Sequence, residues 1–169
     1  MTFLVPFDGS SLAEAALVRA VEFAKVFDEK VVAVSIIPLD DETYAQEKGW
    51  LATGDPFDRH AIVAHLHEQV TDLAPTVDFS HEFVGRYASS GSIALAIRKA
   101  AKEFDTSMLF IGSENAGRLV NSLASVGSQV TADQDYDVVI VRDRTPAKIE
   151  RLKRVSPFRK EKSDFYLSQ

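Results

Sequence analysis

Five short apolar runs alternate with four longer stretches in which apolar residues return at helical spacing. The runs cover residues 2–7, 30–37, 77–84, 107–111 and 137–141, each bounded by Gly, Pro, Asp or Ser, and they read as strands. The second, KVVAVSII, is apolar almost throughout, which suits a parallel strand covered on both faces. After the first run, Ala13, Ala16, Leu17, Ala20, Val21 and Ala24 lie on one helical face. Ser11-x-x-Glu14 predicts a capping box at that helix's start. A second helix is predicted over 58–73, stopped by Pro75. Ile93, Ala96, Ile97, Ala100 and Phe104 form a third stripe, and Leu119, Leu123, Val126 and Val130 a fourth. Residues 39–57 are acidic and irregular, with Gly49, Gly54 and Pro56; they read as an excursion with room for a short helix.

Strands alternating with helices of this length imply right-handed crossovers and one open parallel α/β sheet. In such sheets ligands bind beyond the carboxyl ends of the strands, where the strand order reverses. Charge divides the chain in two. Residues 145–169 hold seven Lys/Arg and three Asp/Glu, a net +4; residues 1–144 hold the other 12 basic and 22 acidic residues, a net −10. The expected organisation is therefore an α/β domain over 1–144 and a basic extension over 145–169. An acidic body repels nucleic acid, so none is expected on the core. The extension reads as a mobile tail or one folded back on the acidic body of its own dimer, with membrane-surface or nucleic-acid contact, through its basic clusters beside Phe158, Phe165 and Tyr166, as the alternative.

The chain has no cysteine, which excludes disulfides, thiolate metal sites and cysteine nucleophiles. No apolar run approaches the ~20 residues of a membrane span. The first strand begins within two residues of the N-terminus, so no signal peptide is expected and the predicted location is cytoplasmic. His60, His65 and His67 are spaced by five and two, not by the four that places two ligands on one helix face, and they read as a solvated face. No Gly-x-Ser-x-Gly elbow surrounds Ser10, Ser11, Ser89 or Ser90.

Candidate chemistry concentrates in two turns. The run 107–111 stops at Gly112-Ser113, followed by a polar loop with Gly117 and then the last helical pattern. A strand, a glycine loop and a helix start bring backbone N–H groups together on an anion. The first run ends in Asp8-Gly9-Ser10-Ser11, where Asp8 serves either as a turn residue or as a ligand contact. Trp50, in the acidic excursion, reads as locally packed, with a lid over the crevice as the alternative.

The opening FLVPFDGS-SLAEAAL-RAVEFAK and the close FIGS…LASVGSQV…YDVVIVR resemble the universal stress protein family over residues 2–142. The resemblance implies strand order 3-2-1-4-5 with helices on both faces, the adenine nucleotide α-hydrolase-like fold, which sets Asp8 and Gly112 on either side of one crevice. It implies a nucleotide site formed by Pro6, Phe7, Asp8, Ile36, Gly112, Ser113, Gly117, Ser125 and Val126. ATP-binding relatives carry Gly, two residues, Gly, nine residues, Gly and then Ser or Thr. Here Gly112 matches the first glycine, Asn115 stands at the second, and two registers fit the end. One sets Ala124-Ser125-Val126 there, one residue short; the other sets Gly127-Ser128 there, with a longer intervening segment. The implied ligand is ATP or AMP, with magnesium only as the nucleotide carries it, and no catalytic residue is assigned. Also implied is a homodimer paired through the edge strand Asp137–Val141. The expected function is a dimeric, non-catalytic ligand-binding module in stress response. A protein-interaction module without ATP binding, acting through its dimer edge and basic tail, is the alternative, and a weak ATP hydrolase the third reading.

Overall fold

A computed structural model describes residues 1–113 and 136–142. The fourth predicted helix, Gly117, Ser125, Val126 and the extension 145–169 lie outside the described residues. Nine elements follow in order: β1 (Thr2–Pro6), α1 (Ser11–Phe27), β2 (Lys30–Pro38), α2 (Glu42–Glu47), α3 (Arg59–Leu73), β3 (Asp78–Val84), α4 (Ser90–Glu103), β4 (Thr106–Gly112) and β5 (Asp137–Val141). All five strands are parallel, in the order β3-β2-β1-β4-β5. The order reverses between β1 and β4, so their carboxyl ends meet at the switch point, as the family resemblance implied.

Period-two alternation along the strands divides the core into two layers. Phe3, Val5, Phe7, Ala33, Ile37 and Phe110 face α1 and α3, which contribute Ala16, Leu17, Ala20, Ile62, Leu66 and Val70. Leu4, Val32, Val34, Ile36, Leu109 and Ile111 face α4, which contributes Ala94, Ala96, Ile97, Ala100 and Ala101. Helices therefore cover both faces. The first layer carries the aromatic mass: Phe110 sits 5.4 Å from the Phe3 ring and 5.5 Å from the Phe23 ring, with an edge-on approach to the latter. Lys99 on α4 donates to Glu82 on β3 at 3.0 Å, and this hydrogen bond raises the ammonium's pKa above 10.5.

The caps are set by backbone geometry as much as by residue type. Ser10, not Ser11, caps α1: it is extended (φ −69°, ψ 159°) and its Oγ accepts from Ala13 N at 3.2 Å. The capping box predicted at Ser11–Glu14 is absent because Gly9, at φ +78°, turns the chain one residue earlier and leaves Ser11 inside the helix. Asp58 and Ser89 cap α3 and α4 in the same way, each accepting from backbone N–H groups of the first turn.

One buried polar residue ties β2 to the turn after β1. Ser35 is fully buried, and its Oγ donates to the Phe7 carbonyl at 2.6 Å while Phe7 N donates to Val34 O at 2.8 Å. Ser35→Ala strips that carbonyl of its hydroxyl donor in a dry setting. It is expected to cost about 1–3 kcal/mol in urea unfolding followed by circular dichroism; a neutral result would mean that Phe7 O finds another donor.

Candidate functional site at the switch point

At the carboxyl ends of β1 and β2 lies a cleft of about 490 Å³, counting its solvent-filled mouth. Pro6, Phe7 and Asp8 form one wall, and Val34 and Ile36 form the floor. The opposite wall comes from α4, with Ser90, Ile93, Ala94 and Ile97, and Tyr44 of α2 closes one side. The lining is mainly aliphatic and aromatic. A carboxylate (Asp8) and two hydroxyls (Tyr44 and Ser90) stand at its margin. Such a surface takes a flat, largely apolar group and orients it through a few polar contacts.

Asp8 is the most heavily engaged residue of the cleft. Its Oδ1 accepts from Ser10 N at 3.0 Å, the Asx turn expected of Asp before a helix. Its Oδ2 accepts from Lys48 Nζ at 2.7 Å, and both side chains are largely shielded. Its carbonyl accepts from Trp50 Nε1 at 2.7 Å.

Lys48 and Trp50 come from the 39–57 excursion. Asp41 caps α2 through Tyr44 N, and Gly49, at φ +75°, redirects the chain after α2 so that Trp50 N bonds Ala45 O at 2.8 Å. Trp50, 8% exposed and the chain's sole tryptophan, packs edge-on against Tyr44 with ring centres 5.6 Å apart. The Lys48 ammonium also lies 5.6 Å from the Tyr44 ring centre. Trp50 is thus locally packed, and the same indole holds the Asp8 turn. Tyr44, Lys48 and Trp50 were not among the expected site residues. Their contacts with the turn span about forty positions of sequence and have no periodic signature.

The structure brings Pro6, Phe7, Asp8 and Ile36 onto one cleft. Gly112 ends β4, the strand beside β1, and is buried; it is not among the described residues that line this cleft. A Cβ at this position would meet Leu12 Cβ at 2.7 Å and the Leu12 carbonyl carbon at 3.2 Å. The first residues of α1 pack directly on the Gly112 backbone, which gives this glycine a steric reason independent of any ligand. Ser113 follows it, half-buried. His60, His65 and His67 are exposed along α3, and His67 stacks on Phe79 at 5.0 Å. Among the described residues, no three His, Asp or Glu side chains converge as a metal site would require, and no helix is long and apolar enough to cross a membrane.

The family model described as "Universal stress protein family" matches residues 1–142. A comparison with curated proteins gives no match. Among solved structures, a universal stress protein in complex with cAMP is 24% identical, with a TM-score of 0.49 over 84% of this chain and 97% of its own. The universal stress protein UspA of Lactobacillus plantarum is 18% identical, with a TM-score of 0.49 over 84% and 97%. The universal stress protein of Archaeoglobus fulgidus in complex with dAMP is 16% identical, with a TM-score of 0.47 over 83% and 95%. The chain belongs to the universal stress protein family, and its sheet has the order β3-β2-β1-β4-β5.

Proposed function

We propose that this universal stress protein is a non-catalytic module whose switch-point cleft binds the nucleoside part of an adenine nucleotide. The observation that carries the reading is the joining of Asp8 and Ile36 in one mainly apolar cleft at the carboxyl ends of β1 and β2. Val34, Ile36 and Ile97 would bed a planar base, and the Asp8 carboxylate would meet a sugar hydroxyl at the cleft's margin. The stress-response role and the cytoplasmic location belong to this reading through the family.

Calorimetric titration with adenosine, AMP and ATP tests it, and Trp50 emission offers a second readout because the indole is bonded to Asp8. Binding is expected to weaken by roughly tenfold or more in Asp8→Asn, which keeps the turn and removes the charged acceptor. No binding of any of the three at millimolar concentration would overturn the proposal.

A protein-interaction reading rests on a separate observation. β5 ends the sheet, and Val138 and Ile140 on it are 40% and 39% exposed. An apolar strand edge of this kind pairs with another edge, and a second copy of the chain meeting it across a two-fold axis would form the homodimer. Sedimentation equilibrium should give twice the 18.6 kDa chain mass. Ile140→Lys should move the population to monomer; a dimer unaffected by it would place the interface elsewhere.

A further inference from the structure

Within the nucleotide-binding reading just given, one residue outside the cleft lining has a distinct role. The charged side chain in the described lining is Asp8, in a body whose net charge over 1–144 is −10. A cleft of that sign favours a neutral nucleoside over a phosphorylated one. Lys48 Nζ stands 2.7 Å from Asp8 Oδ2, with 20% of its side chain exposed and 14% of that of Asp8. The pair is screened from water on most sides, so its charges are felt further than those of a surface pair. The ammonium is also held in place: Tyr44 lies beneath it, and Trp50 fastens the same loop to the Asp8 carbonyl.

We propose that Lys48 sets the charge preference of the cleft. By pairing with Asp8 it lets the site accept an anionic nucleotide, and the same cleft without that ammonium selects the neutral nucleoside. Removing Lys48 makes the mouth one unit more negative, whatever else the Asp8 carboxylate touches. An anionic ligand several ångströms away then meets a repulsion that a neutral ligand does not feel. Lys48 is a specificity-determining residue in this sense; no bond is made or broken.

The test is the ratio of AMP to adenosine affinity, by calorimetry at low salt, for the wild type, Lys48→Met, Lys48→Gln and Lys48→Arg. In the Met and Gln variants AMP should weaken on the order of tenfold relative to adenosine, whereas the Arg variant should keep the wild-type ratio. The double variant Asp8→Asn with Lys48→Met binds both ligands more weakly and should recover the ratio, because it removes both charges. The difference should shrink at 0.5 M salt, where the screening length falls to about 4 Å. A purely structural role for Lys48 would lower adenosine and AMP equally, and an unchanged ratio in folded Met and Gln variants overturns the inference. Failure of the wild type to bind adenosine or AMP at all overturns the nucleotide reading itself, and this inference with it.

Discussion

Gly112→Ala is expected to lower the unfolding free energy by about 2–3 kcal/mol, at the upper end for overpacking of a close-packed site. The added Cβ would lie 2.7 Å from Leu12 Cβ and 3.2 Å from the Leu12 carbonyl carbon. A change of rotamer relieves neither contact, since one partner is a Cβ and the other is backbone. Relief requires the first turn of α1 to lift from the end of β4, and that turn adjoins Asp8. In a chain of this length the melting temperature should fall by roughly 5–10 °C. Leu12→Ala should not rescue the variant, because alanine keeps both clashing atoms. A Gly112→Ala protein as stable as the wild type would refute the packing explanation and return this glycine to a phosphate-binding role.

Trp50→Ala should cost about 3–5 kcal/mol if the excursion unfolds together with the body. The indole is nearly buried, stacks on Tyr44 and supplies a donor to the Asp8 carbonyl. Trp50→Phe keeps the ring and loses the N–H, and should cost about 1–2 kcal/mol. The two variants therefore separate packing from hydrogen bonding. Circular dichroism in urea gives the global loss, and limited proteolysis of residues 39–57 gives the local one. Rapid cleavage there with an unchanged urea midpoint would show that α2 detaches independently, so that the expected global cost does not apply. Slow cleavage with an unchanged midpoint would mean that Trp50 is not what holds this segment.

The sheet was legible in the sequence for a physical reason. Parallel strands buried on both faces read as continuous apolar runs, and β2 stands where its run stood. The α1 cap was less legible, because Ser10 and Ser11 are equally good capping residues. The choice between them rests on the Gly9 turn and on the Asp8 carboxylate that holds Ser10 N. Asp8 and Ile36 were named through the family resemblance, and both line the cleft. Lys48 and Trp50 were not, since their roles depend on how a non-periodic loop folds back over a turn about forty residues earlier. Gly112 was legible as a glycine and obscure in purpose. Its steric partner, Leu12, lies 100 positions away.

The residues that enclose the cleft fall between Pro6 and Ile97. β1 pairs with β2 on one side, but its other neighbour, β4, begins only at Thr106. A chain growing from the ribosome can therefore assemble the walls of its cleft while its central strand still has one edge unpaired. During that interval Phe3, Leu4 and Val5 belong to an open, apolar edge, the kind that captures foreign strands. The arrival of residues 106–109, which add β4 beside β1, closes this window. Holding the nascent chain at the point where Ile97 but not yet Thr106 has emerged from the ribosome should therefore promote aggregation of a protein whose cleft walls are already present.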